Sequence, residues 1–287
     1  MNRPNDFFVT KSDDGDWDVL VLKSDWNSSV RGVLDKMKLL GLRLSESAGW
    51  QGGNVDFLRE LVGSRVIEVG VYSWKIRDLS PLGRLTQLRH IGIEANYIKA
   101  PDFSTFGDLQ SLFINWKEHA RSLLRCTSLE RLNVTRFPFV DLREISSLRR
   151  LRTLQITSRT LRRLDGISEL EQITALDLSY CPKLESLDGI EHCGRINRLE
   201  FTSCKAFGDL DPLRALKDLR SLLIWNCGTV RSLEPLSECT ELESVQLIGD
   251  TSIEDGDLSV LSALPKLRTI AFARKRHYSH HPKDFSK

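Results

Sequence analysis

The chain has 287 residues, is 40% hydrophobic and carries a formal net charge of +2. This length is sufficient for a continuous hydrophobic core in one elongated domain. It contains no run of about 18 apolar residues, which argues against a membrane-spanning helix. Residues 1–6 (MNRPND) also lack the apolar stretch of a secretory signal, so we expect a cytoplasmic protein.

The first 60 residues predict a strand followed by a helix. The segment WDVLVL at 17–22 has the composition of a strand. Apolar residues at helical spacing then predict a helix that ends near Gly41; they are Val30, Val33, Leu34 and Met37. The tripeptide at 42–44 (LRL) resembles a degenerate copy of the pattern that occupies most of the remaining chain.

That pattern is apolar-x-x-apolar-x-apolar, and it recurs at intervals of 20 to 25 residues. Its ten copies begin at Val66, Leu88, Leu109, Leu129, Leu151, Ile173, Ile196, Leu219, Leu242 and Leu267. A period of this size indicates a solenoid. The alternation within each copy predicts a short strand whose fourth and sixth residues face the core, and stacked copies predict a parallel sheet.

Each copy continues into a second apolar stretch, and three of these contain a proline. A polar residue precedes each proline, at Ser80, Asp211 and Glu234. This is the sequence of a capping residue followed by proline at the first helical position. We therefore expect short helical or 3₁₀ segments on the side of each turn opposite the strand.

These features resemble the leucine-rich repeat family, and most closely its short bacterial, internalin-like repeats. The segment LSPLGRLTQL at 79–88 is close to the linker consensus of that subtype, and the resemblance covers residues 61–273. It implies an α/β solenoid that is curved, with a parallel β-sheet on the concave side and short helical, 3₁₀ or irregular convex segments.

The family places asparagine at the ninth position of each copy, and here only Asn96 matches. Seven of the other copies hold Trp74, Phe137, Arg159 and Asp250, and cysteine at 181, 204 and 227. The remaining cysteines (126, 193 and 239) lie three residues before a copy, where most other copies place leucine. Both registers predict buried free thiols in a reducing compartment, and no Cys-x-x-Cys pair supports a redox or metal role.

Charge is segregated along the chain. Residues 117–163 contain 12 Lys/Arg and 4 Asp/Glu, whereas residues 164–260 contain 8 and 19. The simple interpretation is a solvated convex surface; the alternative is steering of a partner with the opposite pattern. Nucleic acid alone is not expected, because the acidic part would repel phosphates.

The concave sheet surface is the predicted binding site. Asp177 and Glu200 fall on neighbouring strands, so a counter-charge is required, either from Arg198 or from a basic partner. Large exposed aromatic residues around them are typical of interface anchors. The predicted partner-binding residues are Tyr72, Trp74, Glu94, Trp116, Arg131, Asp177, Tyr180, Arg198, Glu200 and Trp225.

The repeat pattern divides the chain into three parts. An open solenoid end exposes core, so residues 1–60 are interpreted as an N-terminal cap, with a separate binding module as the alternative. Residues 61–273 form about ten repeats. Residues 274–287 form a basic tail that covers or trails from the other end; its histidines (277, 280 and 281) only loosely resemble a metal cluster, and a flexible tail is the preferred interpretation.

The predicted function is non-enzymatic binding of a protein partner, with no cofactor, metal or membrane, by a chain expected to be monomeric. Known catalytic motifs are absent. The chain resembles cytosolic immunity proteins that neutralise bacterial toxins by direct binding. The alternatives are a regulatory scaffold of a phosphatase or ligase complex and, less favoured, an enzyme or sugar-binding protein that uses Asp177 and Glu200. A toxic neighbouring gene would favour the first hypothesis.

Overall fold

A computed structural model describes residues 6–285. The chain divides into two compact units, Met1–Leu129 and Glu130–Lys287, which are described separately. Within residues 6–285, no helix has the length and apolar character needed to cross a membrane.

The first unit contains an antiparallel hairpin, a helix and four further strands. The hairpin joins β1 (Phe7–Lys11) to β2 (Asp18–Leu22), and β2 is followed by helix α1 (Ser28–Lys36). From β2 onward each strand is parallel to the next. The later strands are β3 (Gly41–Ser45), β4 (Glu68–Ser73), β5 (His90–Ala95) and β6 (Ser111–Asn115). The 3₁₀ helices are Asp56–Leu61, Ser80–Arg84, Phe103–Thr105 and Glu118–Arg125.

The second unit contains seven strands paired in parallel and one small accessory sheet. The seven strands are β7 (Arg131–Thr135), β8 (Thr153–Thr157), β9 (Ala175–Ser179), β10 (Arg198–Thr202), β11 (Ser221–Trp225), β13 (Ser244–Ile248) and β15 (Thr269–Phe272). Strands β12 (Thr229–Val230) and β14 (Ser252–Ile253) form the accessory sheet. The helices are α2 (Ser259–Ala263) and the 3₁₀ segments Arg143–Ile145, Ile167–Glu169, Ile190–His192, Asp211–Ala215, Glu234–Glu238 and Pro282–Phe285.

The predicted core positions are buried. Leu176 and Leu178 on β9, for example, are 1% and 0% exposed, and their register partners on β10 are equally buried. One strand of five residues cannot remove its own apolar face from water, so each turn depends on its neighbours for burial. The prediction of short 3₁₀ segments between the strands is also correct.

The capping residues differ from the prediction. The 3₁₀ helices begin at Ser80, Asp211 and Glu234, but these side chains do not cap them. The acceptor comes from two residues earlier. Asp78 Oδ1 accepts from the Ser80 amide at 2.8 Å, and Asp209 Oδ1 and Ser232 Oγ accept equivalently at 2.9 and 3.0 Å. These are local turn motifs in which a side chain bonds the backbone two residues on.

Helix α1 has the predicted register only in part, and it ends at Lys36, before the predicted end near Gly41. Asn27 Oδ1 accepts from the Val30 amide at the N-terminus. Val30 and Leu34 are buried, whereas Met37 is 51% exposed. Residues 42–44 lie in β3, which pairs with β4 in parallel register, as the later strands pair with one another.

The basic tail, as described to residue 285, is folded against the last turns, contrary to the interpretation of it as flexible. The Ile253 amide donates to the Tyr278 hydroxyl at 2.9 Å, and His277 Nε2 lies 2.8 Å from the Ile253 carbonyl. Phe285 packs on Phe272 with ring centroids 5.9 Å apart. The described residues contain no group of His, Cys, Asp or Glu arranged to hold a metal ion.

The ninth-position cysteines form a hydrogen-bonded ladder between turns. Cys204 Sγ donates to the Leu178 carbonyl at 3.2 Å, and Cys227 Sγ donates to the Phe201 carbonyl at 3.3 Å. Thr251 continues the series, because its hydroxyl donates to the Ile224 carbonyl at 3.1 Å. Each side chain thus satisfies a buried backbone group of the preceding turn.

The other three cysteines make equivalent contacts between the 3₁₀ segments. Each thiol follows a 3₁₀ helix and donates to a carbonyl in the 3₁₀ helix one turn earlier. Cys126, Cys193 and Cys239 reach the carbonyls of Phe103, Ile167 and Leu213 at 3.2, 3.6 and 3.2 Å. All six cysteines are free and buried.

In two copies the inward residue is shifted by one from the predicted position. Arg159 and Asp250 are exposed, and their neighbours Ser158 and Thr251 are 1% and 2% exposed. Ser158 Oγ donates to the Phe137 carbonyl at 2.7 Å. A short hydroxyl can satisfy this buried carbonyl, whereas a charged side chain would lose its hydration there.

The family-like asparagine contact is likewise made by a different residue. Asn96 is only partly buried and its side chain accepts from Lys117 Nζ. Asn115, predicted to lie on the exposed side of β6, is 1% exposed instead. Its amide group accepts from the Ala95 amide and donates to the Ala95 carbonyl, both at 3.0 Å.

We predict that the thiols are unreactive in the folded protein. Burial raises the pKa of Cys126 to about 12 and those of Cys193 and Cys239 to about 11. A side-chain hydrogen bond with Cys204 lowers the pKa of Cys181, but this residue is 0% exposed. At pH 8 a disulfide reagent should therefore label native protein at least about 100-fold more slowly than unfolded protein. In denaturant without reductant, six thiols should react; two or more disulfides would contradict the assignment.

We also predict that Asn115, and not Asn96, carries the stabilising contact. Asn115→Ala leaves both backbone groups of Ala95 without these partners and should lower the free energy of unfolding by about 2 kcal/mol. Asn96→Ala, the matched control, should change it by less than about 0.5 kcal/mol. Urea denaturation of both variants measures the difference, and equal losses would refute the position assigned to the contact.

Candidate functional site

The surface of interest is the open face of the sheet, which we define as the side chains at positions three, five and seven of each copy. In the second unit, position five contains Asn133, Gln155, Asp177, Glu200, Leu223 and Gln246, and position seven contains Thr135, Thr157, Ser179, Thr202, Trp225 and Ile248. Strand register aligns each series. Every member of these two series is partly or fully exposed, so this face is available to a partner.

Asp177 lies at the end of a chain of polar side chains. Asn133 Nδ2 donates to Gln155 Oε1 at 2.8 Å, and Gln155 Nε2 donates to Asp177 Oδ2 at 3.4 Å. The Ser179 hydroxyl donates to the other carboxylate oxygen at 2.8 Å. Both oxygens of Asp177 are therefore hydrogen-bonded within the protein.

Glu200 is the register neighbour of Asp177 on β10. Arg198 Nη1 lies 3.3 Å from Glu200 Oε1, so the counter-charge comes from the same strand. The Glu200 side chain is 27% exposed and that of Arg198 is 44% exposed. A pair this accessible contributes little to stability but remains free to exchange its partner. Glu200 therefore has a charged partner of its own, whereas Asp177 is held by neutral hydrogen-bond donors.

Trp225 ends β11 and is 45% exposed. It is aligned with Ile248 on the next strand and lies two residues after Leu223, and these three form what we call the Trp225 patch. A Cβ on Gly249 would lie 3.0 Å from Trp225 Cδ1. The same Cβ would clash with Asn226 Oδ1, so glycine allows the loop after β13 to pass close to both Asn226 and the edge of the indole.

Tyr180 lies beside the open face, not on it. It follows β9 with a positive φ of 53° and is 60% exposed. With Arg136, Pro138, Arg159 and Pro182 it lines a groove of about 790 Å³ along the carboxyl ends of β7–β10, which we call the edge groove. Arg131, another predicted residue, is partly exposed at the beginning of β7.

The edge groove is not among the predicted sites, although two of the loops that line it share a sequence pattern. The loops after β7 and β9 share one order: a residue with positive φ, a buried residue, then proline. They are Arg136-Phe137-Pro138 and Tyr180-Cys181-Pro182. These loop residues lie after the six-residue pattern that defines the copies, so the strand pattern does not predict the groove.

In the first unit Tyr72 is largely occupied by internal contacts. Its ring lies across β4 and β5, so that a Cβ on Gly92 would clash with the Tyr72 hydroxyl. The Arg43 guanidinium lies 5.9 Å from the ring centroid. Burial raises the pKa of Tyr72 above its usual value. Of the other predicted residues, Glu94 is exposed and Trp74 is 46% exposed.

The prediction that Trp116 is exposed is wrong: this residue is 7% exposed. It follows Asn115, whose side chain turns inward to bond Ala95. The strand alternation itself places Trp116 inward, on the side of Leu112 and Ile114, so its inclusion among the exposed aromatic residues does not follow from the pattern.

The hairpin loop between β1 and β2 covers part of the first unit's open face, at position three. Trp17 Nε1 donates to Glu68 Oε2 at 2.7 Å, and the indole lies 4.6 Å from the His90 ring, centroid to centroid. Arg43 Nη2 is 3.1 Å from both Glu68 Oε1 and Asp13 Oδ1. Contacts between residues this distant in sequence leave no local pattern.

Three arginines of the basic block, residues 117–163, pair with carboxylates of the following turn. Arg143, Arg149 and Arg162 form ion pairs with Asp165, Glu169 and Glu185 at 2.5, 3.1 and 2.6 Å. These pairs agree with the simple interpretation of the charge pattern. By contrast, no carboxylate among residues 6–285 forms an ion pair with Arg159, which is exposed at the edge groove.

Comparison with known proteins identifies the fold. No protein-family model and no curated protein matches the chain. Among solved structures it is similar to an internalin (InlF) of Listeria monocytogenes, with a TM-score of 0.59 and 20% identity over 91% of this chain and 84% of the internalin. An internalin C2 of the same organism has a TM-score of 0.48 and 18% identity over 59% and 74%. A leucine-rich repeat protein of Leptospira interrogans has a TM-score of 0.40 and 15% identity over 88% and 81%.

The first of these similarities, together with the parallel strands and short 3₁₀ segments described above, establishes an α/β solenoid of the leucine-rich repeat type. The predicted fold class is therefore confirmed. At 20% identity the similarity concerns the fold alone, and function has to be argued from the surface.

Proposed function

We propose that the chain is a non-enzymatic binding protein that engages a partner protein through the open face of its second unit. The Trp225 patch carries this proposal. It places an indole that is 45% exposed beside two further apolar side chains, on a sheet whose register holds it in place. Aromatic anchors with charged surroundings are typical of binding hot spots.

The charged neighbours of the patch define the kind of surface it would meet. Glu200 is aligned with Leu223 in the strand register, and Arg198 neutralises its carboxylate. A partner that presents a basic side chain beside an apolar cavity could take over the Arg198 contact while it receives Trp225. Such an exchange costs little, because both members of the pair are accessible to water.

In its more specific form, the proposal is that the chain is a cytoplasmic immunity protein, active as a monomer, that neutralises a bacterial toxin by direct binding. Its six buried free thiols are suited to a reducing compartment. A rigid binding face suits stoichiometric occlusion of another protein. Co-expression with the product of a toxic neighbouring gene tests this form: growth should be restored. Failure to restore growth, with a partner nevertheless captured, would favour the regulatory scaffold.

We predict that Trp225→Ala and Glu200→Lys weaken binding without unfolding the protein. Loss of the indole should cost about 2 kcal/mol or more of binding free energy. Charge reversal should cost a similar amount by repelling a basic partner surface. Neither residue is in the core, so the melting temperature should change little.

The measurement is titration calorimetry against a partner captured from native cells, alongside thermal melting of each variant. Val62→Ala is the control, since Val62 is an apolar residue 56% exposed in the other unit. Unchanged affinity in both test variants would remove the interface from this face. A large loss of stability in Trp225→Ala would show that the indole has a core role.

A further inference from the structure

We infer that the edge groove is a second recognition site, which receives an acidic extended segment of the partner protein. The inference rests on the proposed function, since it assumes a protein partner, but it concerns residues outside the open face. The groove has a volume of about 790 Å³ and lies at the carboxyl ends of β7–β10, where the chain turns away from each strand.

The position of Arg159 is fixed by its neighbour. Ser158 is buried, and its hydroxyl donates to the Phe137 carbonyl at 2.7 Å. The same oxygen accepts from the amides of Thr160 and Leu161 at 3.1 and 3.0 Å. With Ser158 held inward by three hydrogen bonds, the next side chain is directed outward to the groove. A guanidinium on a fixed backbone loses less freedom when it binds than one on a mobile loop.

The lining of the groove is basic. Arg136 and Arg159 contribute to it, and none of the acidic residues that the structure describes does. The arginines of the same block that pair with the next turn do so through other positions, as at Arg162 and Glu185. Arg159 forms no ion pair within residues 6–285, and an arginine fork is suited to a carboxylate.

The remaining lining suits a polypeptide chain. Pro138 and Pro182 are exposed, and Tyr180 is 60% exposed beside them. Proline and tyrosine surfaces are apolar and lose little conformational entropy on contact. Together they can hold the apolar neighbours of a bound acidic residue. The occupant is therefore an extended segment with one or two carboxylates beside apolar side chains.

The adjoining turns argue against a nucleic acid. Asp177 and Glu200 lie on β9 and β10, two of the strands that end at the groove, and residues 164–260 contain 19 Asp/Glu against 8 Lys/Arg. A polyanion long enough to leave the groove in this direction would meet repulsion. A short acidic segment whose carboxylates lie only at the arginine end of the groove would not meet this repulsion.

The test uses the full chain and does not require the native partner. A library of random eight-residue peptides is selected on immobilised protein, and recovered peptides are measured by fluorescence anisotropy. We expect enrichment of Asp or Glu next to apolar residues. Arg159→Glu should lower the affinity for the best peptide at least about tenfold. Replacing the carboxylate of the peptide by an amide should lower the affinity of the wild-type protein by a comparable factor. The same replacement should leave the affinity of the Arg159→Gln variant unchanged.

Arg195→Glu is the matched control. Arg195 is exposed in the same unit and lies outside the groove, and its replacement changes the net charge by the same amount. Peptide binding by this variant should remain within about twofold of wild type. Tyr180→Ser changes the apolar lining independently and should also lower the affinity for the peptide. Thermal melting verifies that each variant is folded.

Several outcomes would overturn the inference. One is selection without acidic enrichment, and another is equal weakening by Arg159→Glu and Arg195→Glu. A single-stranded oligonucleotide that binds with the same Arg159 dependence, in preference to the acidic peptides, would assign the groove to nucleic acid instead. The proposed function fails separately: a partner that binds through Trp225 but ignores Arg159 refutes only the groove, whereas peptide binding at the groove with no effect of Trp225→Ala on a captured partner refutes only the open face.

Discussion

The structure depends on the satisfaction of backbone groups at the point where the chain leaves each strand. The residues that carry these carbonyls are buried, and a buried backbone acceptor needs a hydrogen-bond partner. At five of these points the carbonyl is bonded by a side chain from the adjacent turn: the amide of Asn115, the hydroxyls of Ser158 and Thr251, and the thiols of Cys204 and Cys227. The chemistry of the donor varies from turn to turn, but the requirement does not. This requirement keeps successive turns in register, and the register in turn aligns the side chains of the open face.

The architecture was accessible from sequence because burial is periodic. Leu176 and Leu178 have counterparts in every copy, and their spacing alone predicts strands that must stack. The positions of the side chains that donate hydrogen bonds between turns were harder to predict. Ser158 and Thr251 are each displaced by one residue from the ninth position, because what recurs between turns is a donor within reach of a carbonyl and not a residue number. The Asn115 contact shows the same effect: the side chain that bonds Ala95 belongs to a residue that strand alternation places on the exposed side.

The candidate sites differ in the same way. Asp177, Glu200 and Trp225 lie on strands, so their neighbours follow from register, and Arg198 was correctly considered as the internal counter-charge. The edge groove lies in loops, where positive φ at Arg136 and Tyr180 redirects the chain. Loop conformations of this kind are set by local backbone energetics and by long-range contacts together, and the strand pattern contains no information about them. The hairpin loop over Glu68 and His90 was not predicted because its position is set by such long-range contacts.

The ion pairs between turns of the second unit have a further consequence. Most of those among the described residues run in one direction: a basic residue of one turn meets an acidic residue of the next, as in Arg143 with Asp165 and Lys217 with Glu238. A stack built by such a rule is complementary to itself from head to tail, and a heterologous contact of this type continues indefinitely unless it is blocked. At the last strand the block is the tail, where Tyr278 packs on Phe272 and accepts from the Ile253 amide. At the first strand of the chain, the antiparallel β1–β2 hairpin interrupts the parallel order. The tail that packs on the last strand and the antiparallel hairpin at the first strand both differ from the repeating parallel turns that a head-to-tail contact would extend.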